Sequence, residues 1–288
     1  EADGLPGVII DRFGDVAVIQ PNAAWAEGLL PALVEALMAV TGVTSVVKNG
    51  SGRARALEGL AEETLLLRGG LDGPVRVPMN GALYMADLMG GQKTGLYFDQ
   101  RDNHAFAARL AGQGRVLDVF SHVGGFALAA LAAGASQALA VDGSEPALAL
   151  AEQGAAAMGV GARFETRQAD AFEAMEALGA DGARFDLVVC DPPAFAPHRK
   201  ALEAGLRAYE RIAKLAAPLV APGGYLVLCS CSHAADLAQF RASSTRGIGR
   251  GQRQAQLIQT GFAGPDHPML PQLAESGYLK ALTYRLDG

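Results

Sequence analysis

Hydrophobic residues near the start of the chain occur first in short β-type runs and then at helical spacing. The runs Val8 to Asp11 and Val16 to Gln20 flank a Gly-Asp turn and predict a β-hairpin. Apolar side chains recur every three or four residues from Ala24 to Val40, which predicts one helix. Two shorter runs, Thr44 to Lys48 and Glu63 to Leu67, complete a small predicted α/β domain over residues 1–73.

A second hairpin is predicted at residues 75–88, where alternating apolar residues precede the two-residue turn Asn80-Gly81. A helix from Asp102 to Leu110 follows, and strands then alternate with helices, which predicts a mostly parallel sheet. The central strands are expected at Arg115 to Val119, Gln137 to Val141, Arg163 to Gln168, Phe185 to Cys190 and Tyr225 to Cys229. The last two are Ala255 to Gln259 and Tyr278 to Leu286, one of them antiparallel. Residues 74–288 therefore form a second predicted domain.

Composition narrows the class of protein. In 288 residues, half are hydrophobic and 19% are charged, as in ordinary globular proteins. No apolar run is long enough to predict a membrane span, and three irregularly spaced cysteines favour a reducing cytoplasm. The net charge of −6 does not favour nucleic-acid binding. The stretch from Ser243 to Arg253 is rich in glycine and arginine and predicts a basic loop.

Reactive polar residues lie at, or shortly after, the ends of the predicted parallel strands. They are Asp118, Asp142, Asp170, Asp191 and the pair Ser230-Cys231. Ligands of open parallel sheets bind beyond the carboxyl ends of the strands, so these side chains are expected to face one crevice. An acid opposite a thiol suggests attack on a flat, electron-poor ring.

The segment VLDVFSHVGGF, Val116 to Phe126, predicts a strand, a glycine turn and a helix start. Gly124 and Gly125 would let the backbone approach a ligand, but the dinucleotide fingerprint GxGxxG is absent. Asp142 could accept hydrogen bonds from the ribose hydroxyls, and Asp170 could accept one from the adenine amino group. This acidic wall suits a ligand with a cationic sulfonium. The alternative is ordinary turn glycines with acids that cap helices.

The triplet Asp191-Pro192-Pro193 forms a stiff loop whose carboxylate and carbonyls could hold a planar base. The alternative is a proline-terminated strand with a capping acid. Cys231 lies between two serines just past a strand and is the candidate nucleophile, although a buried structural cysteine is the plainer interpretation. Cys190 and Cys229 fit that structural role, and the spacing of cysteines and histidines predicts no metal site.

The polar and aromatic segment GQKTGLYFDQRDN, Gly91 to Asn103, leads into the second domain. Lys93 and Arg101 could contact phosphate, and Tyr97 or Phe98 could pack against a flat ligand. A solvated hairpin end with aromatic core anchors is the alternative.

Together these segments resemble the bacterial 23S ribosomal RNA 5-methylcytosine methyltransferases. The similarity begins at Asp3 and rests on GQKTGLYFDQRDN, VLDVFSHVGGFALAAL, LAVDGSEPALALAEQ, FDLVVCDPPAF, LVLCSCS and DHPMLPQLAESGYLKAL. The resemblance implies a Rossmann-like class I methyltransferase domain with a seven-stranded sheet, preceded by the small α/β domain and the hairpin. It also implies S-adenosylmethionine as cofactor. The family carries an N-terminal RNA-binding PUA domain, and we expect that the chain, which starts at Glu1, lacks it.

The resemblance also implies roles for individual residues. It implies Cys231 as nucleophile and Asp191 beside the target base, with substrate contacts from Pro192, Pro193, Phe195 and Lys93. The expected methyl-donor contacts are Phe98, Gln100, Arg101, Asp118, Phe120, Gly124, Gly125, Asp142, Asp170 and Asp191. Many 5-methylcytosine enzymes have a second cysteine after the proline pair, which they use in product release. This chain has Ala194 there, so another base must act.

Several functions remain open at this point. An RNA guanine methyltransferase of similar fold needs no thiol, which Cys231 argues against. A small-molecule methyltransferase would suit the acidic charge, and a non-enzymatic methyl-donor-binding module in ribosome assembly is a further alternative. We expect a cytoplasmic enzyme that acts on large-subunit ribosomal RNA without metal or membrane. The oligomeric state is left open, with a homodimer as a candidate.

Overall fold

The computed structural model describes residues 2–90 and 95–287. The chain divides into two compact units. The first unit comprises Glu1–Val77 and Met85–Tyr97, and the second comprises Pro78–Tyr84 and Phe98–Gly288. The division at residue 73 that the sequence suggests stays a prediction.

The first unit contains a four-stranded sheet with three short helices. Its strands are β1 (Val8–Phe13), β2 (Val16–Pro21), β3 (Ser45–Asn49) and β4 (Thr64–Arg68), and its helices are α1 (Ala24–Gly28), α2 (Leu30–Thr41) and α3 (Arg53–Leu57). The strand order is β1-β2-β3-β4, with β2 and β3 parallel and the outer pairs antiparallel. A parallel pair needs a crossover connection, which α1 and α2 supply.

The single helix predicted from Ala24 to Val40 is wrong, because the structure breaks it in two. Leu29, with φ −102° and ψ 8°, separates α1 from α2. Pro31 follows in the first turn of α2, where proline lacks only a hydrogen bond that the helix would not make. The apolar spacing continues across the break, so hydrophobicity alone could not reveal it.

The predicted hairpin forms from β5 (Val75–Met79) and β6 (Ala82–Ala86). Its turn residues Asn80 and Gly81 have φ values of 54° and 75°. Positive φ at both positions is the requirement of the tight hairpin turn that an Asn-Gly pair favours. This part of the sequence prediction is confirmed.

The second unit is a seven-stranded α/β sheet. Its strands are β7 (Arg115–Val119), β8 (Gln137–Asp142), β9 (Phe164–Gln168), β10 (Phe185–Cys190), β11 (Val220–Ser230), β12 (Ala255–Gly261) and β13 (Lys280–Leu286). Its helices are α4 (Arg101–Ala111), α5 (Gly125–Ala132), α6 (Glu145–Ala157), α7 (Ala171–Ala180), α8 (Leu202–Ala216) and α9 (Leu237–Arg250). The strand order is β12-β13-β11-β10-β7-β8-β9.

The predicted Rossmann-like, mostly parallel sheet is confirmed. The pairs from β11 through β10, β7 and β8 to β9 are all parallel. Strand β13 is antiparallel to both of its neighbours, β11 and β12. Central side chains such as Leu117, Val119 and Val188 are fully buried, so the carboxyl ends of the parallel strands stand on a rigid core.

The basic loop predicted from Ser243 to Arg253 is wrong, because most of this stretch belongs to α9. The helix begins with a capping box in which Asp236 and Gln239 satisfy each other's backbone amides. Gly247 faces α8, where an added Cβ would lie 2.3 Å from the carbonyl oxygen of Glu210. Tertiary packing therefore outweighs the poor helix propensity of this sequence. None of the helices in the described residues is long and apolar enough to cross a membrane.

Candidate active site

The loops that follow the central strands are tied to each other at the carboxyl edge of the sheet. The amide of Asp191, after β10, donates to the carbonyl oxygen of Val119 on β7 at 3.1 Å. The amide of Ser121, after β7, donates to the carbonyl oxygen of Val141 on β8 at the same distance. Each loop therefore starts against the end of the neighbouring strand, as the crossover topology predicts.

Asp118 organises the glycine turn between β7 and α5. Its Oδ2 accepts hydrogen bonds from the amides of Phe126, at 3.2 Å, and Ala127, at 2.9 Å. These amides lie at the helix start, where no intrahelical partner is available. Gly124 precedes the helix with φ 78°, a left-handed conformation that favours glycine. Asp118 thus fixes the glycine turn through hydrogen bonds to the start of α5.

The carboxyl group of Asp118 is fully buried, and burial raises its pKa to about 7. The two backbone hydrogen bonds lower the pKa and the charge of Asp142 raises it further, but desolvation outweighs both. The Oδ1 atom is buried and has no hydrogen-bond partner among the described residues. An acceptor without a partner therefore lies directly under the turn.

His104 and Tyr84 support the same turn from the other side, and the sequence did not reveal them. A Cβ added at Gly125 would lie 2.8 Å from His104 Nε2, so glycine is needed for packing at this position. The Tyr84 hydroxyl donates a hydrogen bond to the Gly125 carbonyl oxygen at 2.9 Å. The His104 ring packs edge-on against Phe126, with centroids 4.4 Å apart. Burial lowers the pKa of His104 to about 3, so the ring is neutral.

Asp142 is the last residue of β8, and both of its carboxylate oxygens accept hydrogen bonds. Oδ2 accepts the amide of His122 and Oδ1 accepts the amide of Ser144, each at 2.8 Å. A carboxylate has about four acceptor positions, so each oxygen keeps one for a ligand. Asp170 is exposed and caps α7, accepting the amides of Phe172 and Glu173 at 2.9 and 3.1 Å. The plainer interpretation of Asp170 as a helix cap is therefore observed, and its adenine contact stays a prediction.

Cys231 lies beside the proline loop, as the sequence suggested. Its Sγ is 4.0 Å from the carbonyl oxygen of Pro192, although the two residues are 39 positions apart in the chain. Cys231 is partly exposed, whereas Cys190 and Cys229 are 0% and 1% exposed. Burial raises the thiol pKa of Cys190 and Cys229 well above the ordinary value. The exposed thiol is thus the one at the strand end.

Ser232 fastens the cysteine loop to the proline loop. Its Oγ accepts the amide of Ala196 at 2.9 Å and shares a hydrogen bond of 2.7 Å with the Tyr209 hydroxyl. Ser230 donates to the same hydroxyl at 2.9 Å. Both serines are fully buried. In the sequence they only flanked the thiol, and nothing linked them to Tyr209 on α8.

Phe195 belongs to an aromatic cluster next to this polar group. Its ring centroid lies 5.1 Å from Tyr209 and 6.4 Å from both Phe120 and Phe172. Phe120 has a positive φ of 62°, which turns the chain sharply after β7. The cluster joins the proline loop to the loop after β7. Direct contact of Phe120 or Phe195 with ligands stays a prediction.

Residues at the start of α4 that were expected to contact the methyl donor interact with other side chains of the protein. Gln100 is buried, and its Oε1 accepts from Asn103 Nδ2 at 2.6 Å. Arg101 forms an ion pair with Asp266, and its guanidinium lies 5.7 Å from the centroid of the Phe98 ring. Lys93 lies outside the described residues, so its phosphate contact stays a prediction.

Comparison with known proteins decides the family. The sequence model of the S-adenosylmethionine-dependent methyltransferase family matches residues 65–285. Ribosomal RNA large subunit methyltransferase I of Tolumonas auensis is 37% identical over 290 residues, which cover 99% of this chain and 72% of the relative. The protein of the same name from Photobacterium profundum is 38% identical over 284 residues, with coverages of 97% and 71%. The chain belongs to this methyltransferase family.

A solved methyltransferase complexed with SAH, the demethylated cofactor, shares the fold of this methyltransferase. Its TM-score is 0.82 at 21% identity, over 97% of this chain and 71% of the other. The matching family is that of S-adenosylmethionine-dependent methyltransferases, so S-adenosylmethionine is the cofactor, and the residues present fit it. The remaining acceptor positions of Asp142 suit the hydroxyls of the ligand, and the Asp118 Oδ1 beneath the glycine turn is a buried polar atom without a partner among the described residues. In the described residues no group of three or more His, Cys, Asp or Glu side chains could hold a metal ion.

Proposed function

We propose that this methyltransferase forms 5-methylcytosine in large-subunit ribosomal RNA, with Cys231 as the nucleophile. The observation that carries the proposal is the 4.0 Å approach of the Cys231 sulfur to the Pro192 carbonyl oxygen at the carboxyl edge of the sheet. The curated relatives named above act on large-subunit ribosomal RNA by their names, which supports the substrate.

Cytosine C5 needs activation, because it is a poor nucleophile in the aromatic ring. The Cys231 thiolate forms a bond to C6, and the electron pair of the C5–C6 double bond moves into the ring. Protonated Asp191 gives its proton to N3, which keeps the ring neutral and leaves C5 as the nucleophilic carbon of an enamine. Pro192 contributes a carbonyl beside the sulfur, and the two prolines keep the loop rigid beside the base.

S-adenosylmethionine supplies an electrophilic methyl group to C5. A base then takes the C5 proton, the electron pair of that C–H bond restores the C5–C6 double bond, and the Cys231 thiolate departs. N3 returns its proton to Asp191 if water is that base, and to water if the Asp191 carboxylate is. Because Ala194 replaces the second cysteine of related enzymes, the base is either the Asp191 carboxylate or a water molecule.

For the cofactor, we assign the ribose hydroxyls to Asp142 and the adenine amino group to Asp170. The acceptor positions that remain on Asp142 support the first assignment, and the exposure of the Asp170 carboxylate supports the second. The turn at Gly124 and Gly125 would receive the methionine end. The remaining expected contacts are Phe98, Gln100, Arg101, Asp118, Phe120 and Asp191.

A guanine N-methyltransferase is the second candidate, because transfer to a ring nitrogen uses the same cofactor without a covalent step. The partly exposed Cys231 beside the proline loop favours cytosine, since direct transfer would leave this thiol without a role. Work on ribosomal RNA would take place in the cytoplasm, and a target within a helix must be flipped out of the stack.

Nucleoside mass spectrometry tests the proposal. Unmodified large-subunit ribosomal RNA is incubated with isotopically labelled S-adenosylmethionine and either the parent protein or Cys231→Ala. Labelled 5-methylcytidine from the parent alone is the expected result. Label in methylguanosine, or equal activity of Cys231→Ala, would overturn the cytosine mechanism. Cofactor binding by the variant, measured by calorimetry, should match that of the parent.

A further inference from the structure

Lys280, the first residue of β13, has its ammonium group buried beside the loop that carries Cys231. Its backbone pairs with Ser230 in the antiparallel register, and the residue is 5% exposed. Nζ donates to the carbonyl oxygens of Ser232, at 2.7 Å, and Ala235, at 2.8 Å. The chain from Cys231 to Ala235 thus folds around the ammonium group.

This buried cation has no carboxylate within 4.0 Å among the described residues. The two carbonyl oxygens accept from two of its three N–H donors but do not neutralise its charge. Burying an ion without a counter-charge is unfavourable, so such ions are uncommon unless they serve another purpose. Burial lowers the pKa of Lys280, and the neighbouring Cys231 and Asp236 raise it. A negative charge on Cys231 would therefore stabilise the ammonium form.

We propose that Lys280 is a positioning residue for Cys231, whose ammonium group fixes the thiol-bearing loop and stabilises the thiolate. The catalytic meaning of this role depends on the proposed function, because only the covalent mechanism requires a thiolate. The electrostatic relation between the two side chains does not depend on it.

Acidic residues lie on the loops next to the thiol. Asp191 precedes Pro192 on the proline loop, and Asp236 caps α9. Each of them opposes a negative sulfur when it is ionised. Tyr209 on α8 has a pKa raised by burial and stays protonated. His233 is exposed, with its ring centroid 5.6 Å from that of Tyr278. Lys280 is thus the buried positive charge that can offset the two acids.

The pH dependence of alkylation tests this inference. Iodoacetamide reacts with thiolates, and peptide mapping separates Cys231 from the buried Cys190 and Cys229. Lys280→Met removes the charge at similar length, and Lys280→Gln also removes it but keeps a hydrogen-bond donor. In both variants the alkylation midpoint of Cys231 should rise by about one pH unit. Lys280→Arg, which keeps the charge, should preserve the parent midpoint.

An unchanged midpoint in the charge-removing variants would overturn the inference. So would an equal rise in Lys280→Arg, because the charge would then not be the cause. If the variants do not fold, the parent protein alone provides a test. The alkylation midpoint of Cys231 in the folded parent should lie at a lower pH than in the parent unfolded by guanidinium. The reverse order would refute the inference. If the midpoint shifts as expected while the parent makes no 5-methylcytidine, the proposed function fails and the inference stands.

Discussion

The hydrogen bonds of Ser232 lead to a quantitative prediction for Ser232→Ala. The substitution removes the acceptor of the Ala196 amide and one of the two serine partners of the Tyr209 hydroxyl. Tyr209 keeps Ser230, so its loss is partial. The Ala196 amide, in a fully buried residue, is left without its observed partner.

Leaving one buried amide unpaired costs about 1–3 kcal/mol, which we expect as the loss in unfolding free energy. A matched control is Ser136→Ala, because Ser136 is exposed and its Oγ makes one bond, of 3.2 Å, to the Gly114 carbonyl oxygen. That substitution should change the unfolding free energy by less than about 0.5 kcal/mol. The buried and exposed serines thus separate the local hydrogen bonds from a general effect of serine removal.

Guanidinium unfolding followed by far-UV circular dichroism measures the difference. The single tryptophan, Trp25, lies in the first unit, so its fluorescence does not report on this site directly. Hydrogen exchange of the Ala196 amide gives a local readout and should accelerate about ten-fold for each 1.4 kcal/mol lost. Equal stability of Ser232→Ala and Ser136→Ala, with unchanged exchange at Ala196, would refute the reasoning.

Two further predictions concern packing and pH. Gly247→Ala should destabilise the protein by about 1–3 kcal/mol in urea unfolding, because the added methyl group clashes with Glu210 on α8, whereas Gly249→Ala meets nothing within 4 Å and should be neutral or stabilising. Burial raises the pKa of Asp118 from 3.8 to about 7, so its contribution to stability falls as the pH rises through that range; His104, lowered from 6.5 to about 3, contributes oppositely as the pH rises. As the pH rises from about 4 to 7, the unfolding free energy of Asp118→Asn should therefore increase relative to that of the parent. As the pH rises from about 3 to 6.5, that of His104→Gln should decrease relative to the parent. Unfolding free energies of variant and parent with parallel pH dependence would contradict both predictions.

The sequence predicted the sheet well because buried parallel strands appear as continuous apolar runs that end at polar residues. Asp118 and Asp142 lie at the ends of such runs and Asp191 follows one, and the topology brings these strand ends to one edge. The proximity of Cys231 to Pro192 was predictable for the same reason, since β10 and β11 are neighbours.

The supporting residues could not be predicted, because their roles depend on contacts between distant parts of the chain. Tyr209 meets Ser232 only when α8 packs beside the sheet, and His104 reaches Gly125 only through α4. Lys280 carries no local motif, and its partners lie 45 and 48 positions away. Helix α9 was missed because its glycines, unfavourable in isolation, permit the close approach to α8.

Covalent trapping tests the central claim most directly. Large-subunit ribosomal RNA containing 5-fluorocytidine would be incubated with S-adenosylmethionine and the parent protein. Fluorine replaces the C5 proton, so the final elimination cannot occur and the RNA should stay bonded to the enzyme through denaturing electrophoresis. We expect mass spectrometry to locate the bond at Cys231, and Cys231→Ala to form no adduct. Methylation of ordinary cytidine by the parent, with no adduct on the fluorinated RNA or with the bond at another residue, would contradict the assignment of Cys231 as the nucleophile.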